Sequence, residues 1–301
     1  MAAALAALMA ASLAAAGGWV WLHPLKAHSL HVRHLLWRGG ARRVSVGGLT
    51  GFRKDTCGGE KTCRCVALIH GLGDDATAWR RILVGDTESG PPPRGFRLYA
   101  LNLPATDGSR PPEDMDGFRP RSQAKILRSA LAEACPEWTV VGNSLGGWIA
   151  SWLALDWPEG VKDLVLIGAA GLSDPSGASR EAARILTDPT SEGLKALHGR
   201  TYYRPAKAPP RVWIELAERL RARKTTAVIS SITNEDFLDR DISRLAIPVR
   251  IIWGEADKVV PVAQGKEFHR LIKGSVFTAV AECGHIPQKE CPGPVRRAVF
   301  R

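Results

Sequence analysis

Several signatures of cofactor and nucleic-acid chemistry are missing from this sequence. It has no Gly-rich phosphate loop and no Gly-x-Gly-x-x-Gly dinucleotide fingerprint, so nothing in it is built to cradle a nucleotide. Helix-turn-helix, zinc-finger and RNA-recognition patterns are absent too. The 41 Lys and Arg against 30 Asp and Glu are scattered through every segment rather than gathered into a stripe. The net charge of +11 therefore reads as a basic surface that favours anionic lipid, not as a nucleic-acid footprint. Metal-site spacing is also lacking. Cys57, Cys63 and Cys65 lie close together, but no Cys/His pair follows at zinc-site spacing, and His23, His28, His31 and His34 resemble a site only by count. No cofactor and no metal are expected. There is no internal repeat, and the one low-complexity stretch is an Ala-rich N terminus.

What is present is an ordinary globular composition, 45% hydrophobic and 24% charged, in 301 residues. That length fits one large α/β domain carrying one insertion. Residues 1–22 are uncharged and long enough to cross a hydrocarbon core of roughly 30 Å, and two readings compete: a retained anchor or a cleaved signal peptide. The missing basic n-region counts against the second. Lys26, Arg33, Arg38, Arg42 and Arg43 follow the segment, which by the positive-inside rule keeps the domain cytoplasmic. The cysteines point outward instead, since Cys57 with Cys63 or Cys65, and Cys283 with Cys291, are near enough to bridge in an oxidising compartment. Cys135, at an apolar helix end, reads as a buried thiol. The expected localisation is membrane-associated through the N-terminal segment, with export after cleavage as the alternative.

Residues 30–50 read as two short strands around a Gly-Gly turn at 39–40. Short apolar runs of the kind buried on both faces recur at 65–69, 96–101, 139–141, 164–167, 249–253 and 276–280. Helical spacing appears between them, at 124–134 and 145–155, and this alternation predicts a mainly parallel sheet with helices on both faces. Residues 171–244 break the rhythm. They carry helical patches at 180–187 and 212–224 and no strong strand, and are read as a helical cap inserted into a domain spanning 30–301.

The chemistry is concentrated in three places. Val-Gly-Asn-Ser144-Leu-Gly-Gly is a Gly-x-Ser-x-Gly turn between an apolar strand and a helical pattern, with Gly142 and Gly146 small enough to let the chain double back. A serine hydroxyl is a weak nucleophile until an imidazole takes its proton, and the imidazole needs a carboxylate to fix its tautomer. Gly-Glu-Ala-Asp257 follows the strand at 249–253, and Cys-Gly-His285 follows that at 276–280. Glu255 and Asp174 compete with Asp257 as the acid; His70, Trp148 and Trp152 read as structural, and the basic stretch 219–224 as a solvated helix face.

With these motifs in the order Ser, Asp, His, residues 33–301 resemble the α/β-hydrolase family. The resemblance implies an eight-stranded, mainly parallel sheet with an inserted helical cap, a Ser144, Asp257 and His285 triad, and an oxyanion hole made by the backbone N–H groups of Leu72, in His70-Gly-Leu-Gly, and Leu145. Among subfamilies the chain looks most like anchored monoacylglycerol lipases and carboxylesterases, and is similar as well to hydrolases that cleave carbon–carbon bonds of ring-fission products. It departs from the family at 102–109, Asn-Leu-Pro-Ala-Thr-Asp-Gly-Ser, where Asp-x-Pro-Gly-x-Gly-x-Ser is usual. The expected activity is hydrolysis of a small or lipid-like ester through a Ser144 acyl-enzyme. The alternatives are carbon–carbon bond hydrolysis and a catalytically silent ligand-binding scaffold. The expected partners are a small-molecule ester or lipid and, through the N-terminal segment, a membrane.

Overall fold

The computed structural model describes residues 18–59 and 63–301. Most of the segment read as an anchor or signal, residues 1–17, lies outside them. Among the described residues no helix is long and apolar enough to cross a membrane.

Eight strands form one sheet: β1 (Arg42–Val46), β2 (Leu49–Asp55), β3 (Arg64–Ile69), β4 (Phe96–Leu101), β5 (Trp138–Asn143), β6 (Val161–Ile167), β7 (Val249–Gly254) and β8 (Val276–Val280). Their order is β1-β2-β4-β3-β5-β6-β7-β8, antiparallel as far as the β2–β4 pair and parallel beyond it. Side chains on β3 alternate between two cores. Cys65, Ala67 and Ile69 join a cluster with Leu127, Leu131 and Ile149, whereas Val66 and Leu68 join one with Leu36, Trp79, Ile82 and Val295. Burial on both faces explains why the parallel strands read as continuous apolar runs.

The entry segment differs from the hairpin expected at 30–50. Pro24–Arg38 is a helix, with Leu36 fully buried and Val32 packed one turn before it against the same core. The glycines at 39 and 40 end this helix, the Gly39 N–H donating to the Leu35 carbonyl, rather than turning a hairpin. The true β1–β2 turn is Gly47-Gly48, at φ 53° and 81°, the positive values that a two-residue hairpin loop requires.

Between β6 and β7 lie four helices, Ala178–Thr187, Ser191–Thr201, Pro210–Ala222 and Thr225–Ser231, over the C-terminal end of the sheet. Ile185, Leu194, Trp213, Ala217 and Leu220 form their own small core. The cysteines pair as Cys57–Cys63, Cys65–Cys135 and Cys283–Cys291. Cys135 is therefore not a free thiol. It ties the end of the helix Pro120–Ala134 to β3, a pairing across 70 residues that local spacing does not reveal.

Candidate active site

Ser144 follows β5 directly and starts the helix Leu145–Asp156 with φ 55° and ψ −122°, a strained conformation for a residue with a side chain. Its neighbours permit it. A Cβ on Gly142 would lie 2.2 Å from the Gly146 carbonyl oxygen, and one on Gly146 would lie 2.3 Å from that of Ile69. Nothing larger than glycine fits either position.

His285 and Asp257, on separate loops after β8 and β7, meet at a Nδ1 to Oδ2 distance of 2.7 Å, each only 6% exposed. The other carboxylate oxygen, Oδ1, accepts the N–H groups of Val259 and Val260, both at 2.9 Å. Asp257 is thus held in place and leaves Oδ2 to orient the imidazole. Its two competitors are placed elsewhere: Glu255 is exposed, and Asp174 accepts from the Ser176 and Ser179 backbone in the loop after β6.

Two supporting residues escaped the sequence reading. Asn143 donates from Nδ2 to the carbonyls of Ile167 (2.9 Å) and His285 (3.1 Å) and accepts from Gln288 Nε2 (2.9 Å), so the residue before the serine fastens the histidine loop to the sheet. Gly168 has φ 48°, and a Cβ there would sit 3.2 Å from His285 Nδ1 and 3.3 Å from Asp257 Oδ2. Their signals were present, an Asn inside the elbow and a Gly at the end of β6, but each acts only across the fold.

The turn after β3 supplies the other wall. His70 is buried, donating from Nδ1 to the Gly71 carbonyl (2.8 Å) and accepting the Leu103 N–H at Nε2 (3.0 Å). Burial holds its pKa below the usual histidine value, which keeps it neutral as this pattern demands. His70 is a structural residue, as the sequence suggested. Leu72 and Leu145 face the same cavity as Ser144 and His285, and among the described residues their N–H groups find no protein acceptor. Both remain available to an oxyanion.

The basic stretch 219–224 is not merely a solvated face. Arg219 and Arg223 turn inward from the helix Pro210–Ala222 and its end, and both donate to Asp75 Oδ2. Arg223 also donates to the Gly73 and Asp74 carbonyls, each at 3.0 Å. Burial alone would raise the Asp75 pKa, but the two guanidinium groups outweigh it and hold it below the carboxylate range. The overlying helices thereby grip the loop that carries Leu72.

Trp148 and Trp152 both donate to the Asp236 carbonyl, at 2.6 and 2.8 Å, joining the helix after Ser144 to the end of the inserted segment. Two groups of potential metal ligands, Asp55 with Cys57 and Cys63 and Glu290 with Cys283 and Cys291, have their sulfurs engaged in disulfides.

Ser144 and His285 open into a cavity of about 460 Å³. Its walls are chiefly apolar, including Leu186, Leu194, Leu197, Trp213, Ile229, Ile232 and Val259, and the entry helix contributes Leu25 and Val32. Charged side chains form one cluster in the lining, where Asp74 pairs with Lys289 and Asp75 with Arg219.

A serine on a strained strand-to-helix turn, a histidine–carboxylate pair and free amides around one cavity define a hydrolase of the α/β class. The chain belongs to the alpha/beta hydrolase fold family, whose model matches residues 65–292. It is 25% identical over 254 residues to 2-hydroxy-6-oxononadienedioate/2-hydroxy-6-oxononatrienedioate hydrolase 1 of Pseudomonas putida, covering 78% of this chain and 86% of the relative. Among solved structures it is similar to a bacterial membrane phospholipase A, with TM-score 0.75, 24% identity and coverage of 99% of this chain and 96% of the other. It is similar also to the 2-hydroxy-6-oxo-6-phenylhexa-2,4-dienoate hydrolase of a Rhodococcus strain, with TM-score 0.69, 19% identity and coverage of 87% and 99%.

Proposed function

We propose that this protein hydrolyses carboxylic esters with a lipid-like acyl group. Ser144 attacks the carbonyl while His285 takes its proton; His285 then protonates the leaving alcohol, and the same pair activates water to release the acid. Asp257 holds the imidazole, and the Leu72 and Leu145 amides receive the oxyanion. The observation that carries the ester reading is the cavity beside Ser144, whose lining is chiefly apolar and gathers Asp74, Asp75, Arg219 and Lys289 in one cluster. An acyl chain is matched by such walls at about 25 cal/mol per Å² of apolar surface buried.

A second reading, carbon–carbon bond hydrolysis, is favoured by relatives named for that activity at 25–28% identity. Those names specify dioates, which carry a carboxylate at each end. Here the arginine and lysine of the lining, Arg219 and Lys289, belong to one cluster with Asp75 and Asp74, so a second carboxylate would have no cation of its own. The silent-scaffold alternative is disfavoured by the 2.7 Å histidine–aspartate contact beside an accessible serine.

The three disulfides support an oxidising compartment, and the uncharged N-terminal segment supports attachment to a membrane. The test is turnover of a chain-length series of p-nitrophenyl esters beside a ring-fission dienedioate, with mass spectrometry of fluorophosphonate-treated protein. Ser144 should be the modified residue, and Ser144→Ala should lower kcat on the order of a millionfold. Faster cleavage of the dienedioate than of every ester would replace the ester reading with the second one.

A further inference from the structure

In and behind the charged cluster of the cavity wall the ion pairs do not balance. Lys289 faces Asp74 at 2.5 Å, Arg33 from the entry helix is matched by Asp107 at 2.8 Å, and Arg81 by Asp86 at 2.9 Å. Arg219 and Arg223, by contrast, share one carboxylate. Both donate to Asp75 Oδ2, while Asp75 Oδ1 is taken by the backbone N–H and hydroxyl of Thr77. Arg223 spends further donors on two backbone carbonyls. Arg219 does not: among the described residues its one partner is Asp75, and it lines the cavity into which Ser144 opens.

Two guanidinium groups thus share one carboxylate, and Arg219, part-buried, keeps N–H groups that have no acceptor among the described residues on a side chain that lines the cavity. Desolvation and the neighbouring Arg223 weigh against the Arg219 charge more than Asp75, Asp74 and Asp107 support it, so an anion placed beside it relieves a remaining cost. The planar fork of arginine suits a tetrahedral oxyanion with several acceptor oxygens, and the His28 ring, which feels the charges of Lys289 and Arg219, lines the same cavity.

We propose that this part of the cavity seats a phosphate carried by the alcohol part of the ester, with Arg219 as its principal donor, so that preferred substrates are acyl esters of phosphorylated glycerol. The inference rests on the acyl-ester reading of Ser144. It adds a substrate class that the triad itself does not determine.

The experiment compares kcat/KM for 1-acylglycerol 3-phosphate and for the 1-monoacylglycerol of the same chain, in wild type, Arg219→Met and Arg219→Lys. The wild type should prefer the phosphorylated substrate. Arg219→Met should lower the phosphorylated-to-unphosphorylated ratio by about tenfold or more, chiefly through KM, with Arg219→Lys in between. A ratio unchanged in Arg219→Met, even with both activities reduced, would mean that Arg219 only steadies the loop, and overturns the proposal. Wild-type protein gives a second test that needs no variant. A dodecyl phosphate should protect Ser144 from fluorophosphonate at lower concentration than dodecylglycerol ether, and equal protection overturns the proposal. If neither ester is hydrolysed and Ser144 is unlabelled, the ester reading falls and takes this inference with it; ester hydrolysis without phosphate preference removes the inference alone.

Discussion

Ala105 and Asp107 stand at the two positions where the α/β-hydrolase pattern places glycine, and both keep the left-handed backbone that glycine would adopt, at φ 62° and 44°. Such conformations cost roughly 1–2 kcal/mol in residues with a Cβ. For Asp107 the cost is offset by an ion pair with Arg33, whose Nη2 donates to both carboxylate oxygens at 2.8 and 2.9 Å. The loop is closed by side-chain hydrogen bonds, with Ser109 Oγ donating to the Asn102 carbonyl and Asn102 Oδ1 accepting the Ala76 N–H. The two residues thus take the positive-φ backbone that a glycine at either position would take freely. His70, beneath the same loop, makes a pH-dependent contribution. Its folded pKa lies below that of the unfolded chain, so below about pH 6.5 the unfolded state binds a proton that the folded state refuses. Stability is full above that pH and falls as pH drops toward the folded value, by at most about 1.4 kcal/mol per pH unit for one proton. His28, also lowered by burial, acts in the same sense. His70→Gln should be less stable at pH 7.5 but lose less between pH 6.5 and 5 in urea titrations. Parallel curves for the two proteins would show that His70 is not the group responsible.

At the scale of elements, the three covalent bridges differ in what they constrain. Cys65–Cys135 closes a separation of 70 residues and Cys57–Cys63 one of 6. Chain-entropy reasoning assigns about 4 kcal/mol to the first and about 2 kcal/mol to the second. Replacing Cys65 and Cys135 together by serine should therefore lower Tm by on the order of 10 °C, and more than replacing Cys57 and Cys63. Calorimetry of both double variants decides the order, and a larger loss from the short bridge would count against it. Cys283–Cys291 has another setting, since it brackets the segment that holds His285. The parallel strands and the helices beside them were legible because burial on both faces leaves an unbroken apolar run. The elbow and the Asp257 and His285 loops were legible because each carries its motif within a few residues. The entry helix was misread because paired glycines end a helix as readily as they turn a hairpin. The sequence pattern points Arg219 and Arg223 to solvent because their partner, Asp75, lies 144 and 148 residues away, and it hides the partner of Cys135 for the same reason. Contacts of that separation leave no period in the sequence.

Across the whole molecule, the cavity wall is assembled from segments remote in sequence. Leu25, His28, Ser29 and Val32 of the entry helix face the same space as the helices inserted between β6 and β7. Two ties hold that helix in place. Arg33 pairs with Asp107 midway along it, and at its start Glu215, only 6% exposed, accepts the N–H groups of Leu25 and Lys26 at 3.0 and 3.3 Å. Glu215 acts as an N-terminal cap supplied by another helix, and its negative charge suits the positive end of the dipole. It is not among the residues lining the cavity, so removing it alters the wall without altering what a substrate touches. Glu215→Ala should cost about 1 kcal/mol of local stability at the start of the entry helix, seen as faster tryptic cleavage at Lys26. Because that helix lines the cavity with Leu25 and Val32 and carries none of the Ser144, His285 and Asp257 groups, KM for a long-chain ester should rise severalfold while turnover of p-nitrophenyl acetate changes far less. An equal change for both substrates would mean that the entry helix supports the catalytic groups themselves and not the chamber that receives the acyl chain.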